Sequence, residues 1–474
     1  KYLWGGLVTA LFVALQIVSN HMQMTYYFLF VMLFIAIAYG VSAWKEKRFP
    51  QFLKSTGVLV VAGILGICIN LSNIYHTYQY SKESMRGKSE LVKEHSASQT
   101  GSGLERDYIT MWSYGVGETW SLLIPNVKGG ASVPMSENKI AMDKFSESGS
   151  QYNSSIFSSI GQYWGEQPGT SGPVYVGAFV LMLFILGLFI VKGPIKWALL
   201  AATVLSILLA WGRNFMEFTD FFIDYIPMYS KFRTVSSILV VAEFTIPLLA
   251  MLALKKIVDE PDILRKKMSY LYISFGLTGG IALIFALLPT MFFDFVSSNE
   301  LMQQLKGAPA DFVDLLSSMR KAIFTADCWR SFWVVIIGTL FLLLYKAKKL
   351  KAQYMIGAIA ILCLIDMWQV NKRYLNDDMF VEKSQRDISQ QKTTTDEEIL
   401  KDKSLDYRVR NLASNTYNEN ETSYYHKSIG GYHAAKLRRY QELIEAYISP
   451  EMQGSMNAVA KAQGDMTRVN GDSV

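Results

Sequence analysis

The sequence predicts a mainly α fold: a polytopic helical membrane protein with about nine spans, a large exoplasmic loop and a C-terminal exoplasmic α+β segment. Hydrophobic residues make up 51% of the 474 residues and charged residues only 18%, whereas soluble proteins carry about 25% charge. The apolar residues form long runs, for example 26–44 and 174–191, and do not alternate as in strands. These observations exclude a purely soluble enzyme, a disordered chain, a coiled coil and an outer-membrane barrel.

Nine stretches are apolar enough to be membrane spans, which need about 20 residues. Charges, glycines or prolines bound each of them, as expected at helix ends. In order, the predicted spans are residues 2–18, 24–44, 57–74, 174–191, 195–211, 236–254, 270–293, 331–345 and 353–370. They divide the chain into three spans over 1–74, an exoplasmic loop region over 75–173, six spans over 174–370 and a C-terminal exoplasmic segment over 371–474, which we expect to be incomplete.

Lysine and arginine residues indicate the orientation of these spans. With nine spans, four short loops rich in these residues fall on the same side, which the positive-inside rule assigns to the cytoplasm. They are the loops 45–54, 192–196, 255–267 and 346–351. The two large polar segments then lie outside, where recognition and chemistry are expected. The net charge of +6 therefore reports orientation and predicts no nucleic-acid partner.

Several other features limit the chemistry. Cys68, Cys328 and Cys363 lie in or beside predicted spans, which is typical of small core residues. The five histidines show no zinc-site spacing, and no phosphate-binding glycine motif occurs. The cofactor is unknown; a divalent metal ion is compatible with the sequence, but no motif indicates one. Because the chain begins at Lys1 directly with an apolar run, we expect it to be part of a longer polypeptide.

The turn between the first two spans, residues 19–27, is the first candidate binding segment. His21 and Gln23 offer hydrogen-bond donors and acceptors at the depth of a lipid headgroup. On this interpretation His21 is also a candidate catalytic residue. The alternative is that this turn caps the next helix while Tyr26 and Tyr27 contribute to an aromatic belt.

A second candidate segment lies between the fifth and sixth predicted spans. Aromatic residues three or four positions apart predict an interfacial helix over about 214–230. Arg213 precedes it, and Lys231 and Arg233 follow it. These cations can hold a lipid phosphate, arginine by a bidentate fork and lysine as a point charge. Ordinary cations flanking a span are the alternative, but positive charge is usually depleted on the exoplasmic side, so we favour phosphate binding.

Two carboxylates fall within predicted spans, and a further interfacial helix is predicted over about 297–328. Intramembrane acids are costly and usually face a cavity or a cationic partner. Asp366 lies near the outer end of the ninth span and can reach the interface. Glu243 lies about 10 Å inside the sixth span at the helical rise, so it is the better candidate for a functional intramembrane acid.

Sugar binding is predicted for the end of the long loop, residues 160–173. Its glycines and prolines form an irregular backbone from which Tyr163, Trp164, Glu166 and Gln167 project. Aromatic faces beside amide and carboxylate groups suit sugar rings, which present C–H faces and hydroxyls together. Packing within the loop is the alternative.

In the C-terminal segment, residues 432–448 predict an amphipathic helix. His433, Lys436 and Tyr440 fall on one face of this helix. A cationic, aromatic face can contact an anionic substrate, although a solvated face is the usual role of charges on a helix.

Taken together and in this order, these segments resemble the YfhO family of bacterial membrane proteins, particularly its long versions in Bacteroidetes. The matching blocks are residues 20–27, 119–126, 163–173, 229–233 and 431–440. The resemblance spans nearly the whole chain and implies a GT-C-like glycosyltransferase fold in the bacterial cytoplasmic (inner) membrane. It also implies transfer of a sugar from a polyprenyl-phosphate carrier to an extracytoplasmic acceptor, which is a cell-envelope glycan, lipid or protein.

The residues and the resemblance together predict which residues take part in catalysis and binding. The family's catalytic acid is expected upstream of Lys1, so the catalytic residue stays unknown, with His21 as the candidate. Membrane lipid, the polyprenyl-phosphate-linked sugar and the acceptor are the expected partners. The predicted phosphate ligands are Lys231, Arg233 and Arg213, and the predicted sugar or acceptor contacts are Gln23, Tyr163, Trp164, Glu166, Gln167, His433 and Lys436. Two alternatives stay open: a proton-coupled transporter or lipid-linked-sugar flippase that uses Glu243, and a non-catalytic scaffold for envelope assembly.

Overall fold

The computed structural model describes residues 2–87, 89, 103–297, 305–385 and 391–461, and it has the architecture of a mainly α, polytopic membrane protein. The chain folds into two compact units. Unit 1 contains residues 1–72 and 104–374, and unit 2 contains residues 73–103 and 375–474. The larger part of the predicted exoplasmic loop therefore belongs to the same unit as the apolar helices, and its first part belongs with the C-terminal segment.

Helices account for most of the regular structure. The first ten α-helices are α1 (Tyr2–Val18), α2 (Met22–Lys45), α3 (Phe49–Ile69), α4 (Leu71–Glu83), α5 (Arg106–Thr110), α6 (Lys139–Glu147), α7 (Ala178–Ile190), α8 (Ile195–Ala210), α9 (Met216–Tyr225) and α10 (Val240–Asp259). They are followed by α11 (Ile263–Lys266), α12 (Met268–Phe275), α13 (Ile281–Leu287), α14 (Pro289–Phe292), α15 (Ala310–Lys346), α16 (Ala352–Tyr374), α17 (Thr394–Ile399), α18 (Thr422–Tyr425), α19 (Arg438–Leu443) and α20 (Ser449–Lys461).

Short 3₁₀ and π segments connect these helices. The 3₁₀ segments are Gly117–Leu122, Met135–Glu137, Ser154–Ser158, Gly212–Phe215, Tyr229–Lys231, Val235–Leu239 and Asp377–Met379. The π segments are Gly276–Gly280, which joins α12 to α13, and Ile444–Ile448, which joins α19 to α20.

Each of the nine predicted spans falls on a helix, but the helices differ in length. Among the described residues, six are long and apolar enough to cross a membrane: Met22–Lys45, Phe49–Ile69, Val235–Asp259, Met268–Leu287, Ala310–Lys346 and Ala352–Met379. Helix α8 and the segment Gly212–Tyr225 qualify only as one pair, bent by 109°. Helices α1 and α7 are apolar but shorter. The number of nine spans therefore stays a prediction.

The centre of unit 1 is the packing of α7 and α8 against α10. Gly187 of α7 allows this close approach, because a Cβ there would lie 3.0 Å from Leu249 of α10. The hydroxyl groups of Thr203 on α8 and Thr245 on α10 hydrogen-bond across the interface at 2.6 Å. Small residues and shared hydroxyl groups are the usual means of joining helices in a membrane. Helix α2 packs on the other side of α8.

The lysine-rich loops lie together at one end of unit 1, which we call the basic end. Arg265 donates to the Lys346 carbonyl at 3.2 Å, which joins the third of these loops to the fourth. Lys45 of the first loop and Gly193 of the second line the same groove. Repulsion between like charges is tolerated here because most of these side chains are exposed to solvent screening.

Helix α15 differs from the prediction, because residues 310–346 form one continuous helix. The predicted interfacial helix over 297–328 and the eighth span are therefore parts of one element from Ala310 onward, and residues 298–304 lie outside the described part of the chain. No proline or glycine interrupts the sequence between Ala310 and Gly338, so nothing in it ends the helix. The first half of α15 packs on α6 through a cluster that includes Phe157, Phe312 and Leu316.

Buried charged side chains of α15 hold the loop 104–173 through hydrogen bonds with its backbone. Asp327 of α15 forms a bidentate pair with Arg373 of α16 at 2.7 and 2.8 Å and accepts from the Asn126 amide at 3.0 Å. Arg320 is fully buried and donates to the Gly161 carbonyl at 3.0 Å and the Phe295 carbonyl at 3.1 Å. These charges hold an irregular loop in a defined position.

Unit 2 contains no strand in its described part, and β-structure is limited to the isolated bridges Ser84–Leu437 and Val409–Ser428. The predicted α+β character of the C-terminal segment is therefore not observed there. The predicted helix over 432–448 begins later, at Arg438. The physical reason is a tertiary contact: the carbonyl groups of residues 434–436 accept hydrogen bonds from Arg86, Tyr80 and Met85, so they are not available to a helix.

Candidate functional site

The predicted phosphate-binding segment forms an ordered turn in unit 1, residues 228–234, which we call the cationic turn. Met228 and Thr234 bracket it in the left-handed region, with φ of 68° and 60°. A β-branched residue such as threonine rarely adopts this conformation, and such strain concentrates at functional sites. Residues 104–113, which we call the support segment, hold the turn. Leu104 N donates to the Ser230 carbonyl at 3.0 Å and Thr234 N to the Ile109 carbonyl at 3.2 Å.

Arg233 is half-buried against aromatic rings. Its Nη1 donates to the Tyr108 hydroxyl at 2.7 Å, and its guanidinium carbon lies 5.5 Å from the Tyr108 ring centroid and 5.9 Å from that of Trp112. A guanidinium group stacked on aromatic faces is held in one orientation and loses little further entropy on binding an anion.

Arg213 is exposed and is positioned by the same support segment. Its backbone amide donates to Ser113 Oγ at 2.8 Å, directly after Trp112, and its Nη2 donates to the Glu166 carbonyl at 2.6 Å. Gly212 has φ of 48°, and a Cβ at this position would lie 2.1 Å from Ser113 Oγ. Only glycine therefore fits here, and residues 108–113 hold both arginines in place.

The amino-terminal end of α2 meets the cationic turn. Gln23 Nε2 donates to the Arg233 carbonyl at 2.7 Å, to the Tyr27 hydroxyl at 2.8 Å and to Ser237 Oγ at 3.2 Å. The Tyr26 hydroxyl donates to the Pro227 carbonyl at 2.8 Å. Gln23 is thus next to the predicted phosphate ligands, and its amide group fixes the turn to α2.

His21 caps helix α2. Its Nδ1 accepts from the Met24 amide at 3.4 Å, and its side chain is exposed. This is the capping role given above as the alternative interpretation. Nε2 has no hydrogen-bond partner among the described residues, so the ring stays accessible at the end of α2 next to Gln23.

A buried carboxylate that is not among the predicted site residues organises the neighbouring loop. Glu118 is only 3% exposed. Its Oε1 accepts from the Tyr163 hydroxyl at 2.8 Å and from the Glu166 amide at 2.6 Å, and its Oε2 accepts from Gln167 Nε2 at 3.2 Å. The available signal was a single charge within the apolar, glycine-containing stretch 114–127.

Burial has the largest effect on the pKa values of the side chains in this cluster. It raises the pKa of Glu118, although the hydrogen bonds from Glu166, Tyr163 and Gln167 oppose this shift. Burial also lowers the pKa of Lys128 and, together with the charge of Glu118, raises that of Tyr163. These side chains line a narrow cleft of about 10 Å³ together with Gly130.

The four residues predicted to contact sugar have different environments. Trp164 is buried beneath Arg320, whose guanidinium carbon lies 5.4 Å from its ring centroid. Tyr163 and Gln167 donate to Glu118 at the wall of the cleft, whereas the side chain of Glu166 is exposed. Of the four, the Glu166 carboxylate is the best placed to meet a ligand, and Trp164 serves the packing of the loop.

The two intramembrane acids also differ. Asp366 is buried and ion-paired with Arg330, and it accepts from the Tyr175 hydroxyl at 2.9 Å. Glu243 lies on an exposed face of α10 and has no hydrogen bond or ion pair with a described residue. The cationic partner expected of a coupling group is not found beside Glu243 in the described part of the chain.

His433 and Lys436 belong to unit 2 and precede α19, so they do not share a helical face with Tyr440. His433 Nδ1 accepts from the Ala435 amide at 3.2 Å. The Lys436 ammonium lies 5.6 Å from the centroid of the Tyr417 ring.

Across the described ranges, no three His, Cys, Asp or Glu side chains are grouped so that they could hold a metal ion. The three cysteines are free thiols. Comparisons with protein-family models, with curated proteins and with solved structures found no match to this chain.

Proposed function

We propose that the protein is a membrane glycosyltransferase of the YfhO type, with a GT-C-like fold, that moves a sugar from a polyprenyl-phosphate carrier to an extracytoplasmic acceptor. The observation that carries the proposal is the cationic turn. It holds Lys231 and the aromatic-stacked Arg233 in a strained backbone, and its support segment also positions Arg213.

The positive-inside rule supports an exoplasmic location for this turn. The basic end carries the lysine-rich loops, and the proposal assigns it to the cytoplasm and the cationic turn to the outer face of the bacterial cytoplasmic membrane. Ordered cations on that face are unusual. Their presence is explained if they bind the phosphate group of a lipid at the membrane surface.

The chemistry assigned to this turn is stabilisation of a leaving group. An acceptor hydroxyl oxygen forms a bond to the anomeric carbon while the bond from that carbon to the phosphate oxygen breaks. The polyprenyl phosphate then takes the electron pair and gains negative charge, which pre-oriented cations stabilise most at the transition state. Arg233 suits this role because its orientation is fixed before the substrate binds.

The hydroxyl proton needs a base, and His21 is the candidate in this chain. Its Nδ1 accepts from the Met24 amide, so the neutral ring carries its proton on Nε2, and the ring takes the proton on Nδ1 after releasing that amide. Glu118 is less suited, since three donors already occupy its oxygens. Gln23, which donates to the Arg233 carbonyl, and Tyr163, Glu166 and Gln167 of the neighbouring loop are assigned as contacts for the sugar or the acceptor. Trp164 supports the loop that carries these residues. In unit 2, acceptor binding by His433 and Lys436 stays a separate prediction.

The proposal is tested with purified protein in nanodiscs, first by native mass spectrometry of polyprenyl phosphate binding. The double variant Lys231→Gln with Arg233→Gln is expected to weaken binding by about tenfold or more, since a charge-assisted contact contributes about 1.5–3 kcal/mol. Arg265→Gln, at the basic end, is the matched control and is expected to bind as the wild type does. Unchanged binding by the double variant would contradict the assignment of the turn.

The reaction is tested by release of polyprenyl phosphate from a panel of polyprenyl-phosphate-linked hexoses. Release that depends on Arg233 and on an added acceptor supports the transferase. Binding without release by any donor supports a scaffold. Movement of the lipid-linked sugar driven by a pH gradient, and abolished by Glu243→Gln, supports the transporter or flippase.

A further inference from the structure

An apolar groove runs between α2 and α8 at the basic end of unit 1. Its volume is about 540 Å³. One wall is formed by Phe34, Ile37 and Val41 of α2, and the other by Pro194, Trp197 and Ala201 at the start of α8. Ile37, Val41 and Trp197 are 52%, 50% and 60% exposed, so the groove is open along its length.

Two lysines stand at the basic end of this groove. Lys45, the last residue of α2, lines it directly. Lys192 immediately precedes Gly193, which lines the opposite wall. Both lysines are exposed, and neither forms an ion pair with a described residue.

The neighbouring charged groups are already engaged. Glu46, which follows Lys45, pairs with Arg48 and accepts from Ser42 Oγ at 2.7 Å. Lys196 donates to the Leu188 carbonyl at 2.8 Å. Lys45 and Lys192 are therefore the cations that an anionic ligand in this groove can reach.

We propose that this groove binds one anionic glycerophospholipid, with an acyl chain along the apolar walls and the phosphate between Lys45 and Lys192. The apolar walls belong to helices of a membrane protein, so the hydrocarbon chains of lipids contact them instead of water. The cations sit where the groove reaches the end of α2, and basic pockets between membrane helices are a common way of holding anionic headgroups. The Trp197 indole at the mouth suits the interface between headgroup and hydrocarbon. The site is distinct from the cationic turn and does not depend on the proposed transferase activity.

The test is native mass spectrometry of purified protein titrated separately with phosphatidylglycerol and phosphatidylcholine. The wild type is expected to retain phosphatidylglycerol preferentially. Lys45→Gln with Lys192→Gln is expected to bind phosphatidylglycerol about thirtyfold more weakly, because each of the two lysines near an anionic headgroup contributes about 1 kcal/mol. Its phosphatidylcholine binding should not change.

Two matched variants distinguish a specific lipid-binding site from non-specific electrostatic attraction of anionic lipid. Lys349→Gln with Lys351→Gln removes two exposed lysines from another loop of the basic end and is expected to leave phosphatidylglycerol binding unchanged. Ala201→Trp fills the groove with both lysines intact and is expected to abolish retention of either lipid. Equal losses from both lysine pairs would show non-specific attraction and overturn the proposal. Full retention by Ala201→Trp, or full competition by soluble glycerol phosphate, would overturn the role of the acyl chain.

Discussion

The two ends of unit 1 both carry cations, but in different surroundings. At the basic end the lysines are mostly exposed, and their ion pairs join neighbouring turns of one helix, as between Lys255 and Asp259. At the opposite end Arg233 is stacked on two aromatic rings, and Arg373 forms a bidentate pair with the nearly buried Asp327. The exposed cations of the basic end are the ones that the positive-inside rule counts, and they can meet a lipid headgroup, whereas cations fixed by burial and by distant residues are oriented before any ligand binds.

The largest expected effect of this difference is on stability. Asp327→Ala leaves Arg373 and the Asn126 amide without their partner, and loss of one member of a buried pair costs about 3 kcal/mol. Asp259→Ala at the basic end is expected to cost less than about 0.5 kcal/mol, since exposed i,i+4 pairs contribute little. Thermal unfolding in detergent measures both variants. Similar shifts in Tm would remove the distinction between the two ends.

Two glycines with positive φ provide a second comparison. Gly212→Ala forces a Cβ against Ser113 Oγ and displaces the backbone of Arg213, so we expect about 2 kcal/mol of destabilisation and weaker polyprenyl phosphate binding. Gly193→Ala has open space around the Cβ and is expected to cost only about 1 kcal/mol for its φ of 95°. Unfolding temperatures and lipid binding of the two variants are compared directly. If Gly193→Ala weakened polyprenyl phosphate binding as much as Gly212→Ala, the support segment would not be what positions the arginines.

Gln23 tests the connection between α2 and the cationic turn. Gln23→Met removes its hydrogen bonds to the Arg233 carbonyl and to the Tyr27 and Ser237 hydroxyl groups at similar volume, so we expect a loss of about 1 kcal/mol and a few-fold weaker polyprenyl phosphate binding. Gln51→Met on the exposed face of α3 is the control. Isothermal measurements of polyprenyl phosphate binding in nanodiscs compare the two variants. Weaker binding by Gln23→Met alone shows that the cationic turn has loosened, and equal binding by both variants shows that it has not.

The smallest expected effects are opposite pH dependences of two acids. The pKa of buried Glu118 is raised, so its contribution to stability is present at acidic pH and is lost as pH rises above the ordinary glutamate value. The pKa of exposed Glu260 is lowered by Lys256, so its contribution is present above that value and is lost as pH falls. The difference in Tm between the wild type and Glu118→Gln should therefore decrease from pH 4 to pH 7. The corresponding difference for Glu260→Gln should increase, and slopes of equal sign would contradict the assigned environments.

Most helices were predictable because a long apolar run in a membrane must satisfy its backbone hydrogen bonds internally. Every predicted span coincides with a helix, although three of these helices are short or bent. The helix predicted over 432–448 was wrong in its first turns, since Arg86, Tyr80 and Met85 use the carbonyl groups that those turns need. Periodicity alone carries no information about such partners.

Part of the candidate site was also predictable. Lys231 and Arg233 were selected by their charge at a helix boundary, and Gln23 by its polarity in a tight turn. Glu118 was missed, because its partners Tyr163, Glu166 and Gln167 lie more than forty residues along the chain in the glycine-rich loop. Trp164 was predicted to contact sugar, but it packs within the protein. The cause is the same, since Arg320, which covers its ring, belongs to the distant helix α15.

By itself the sequence determined the class of protein, the location of its helices and the gathering of lysines in short loops, because hydropathy and charge act through local composition. Only the tertiary structure decided which charges are buried. Burial depends on residues far apart in the chain, and it separates Arg233, Asp327 and Glu118 from the exposed lysines that composition alone cannot distinguish from them.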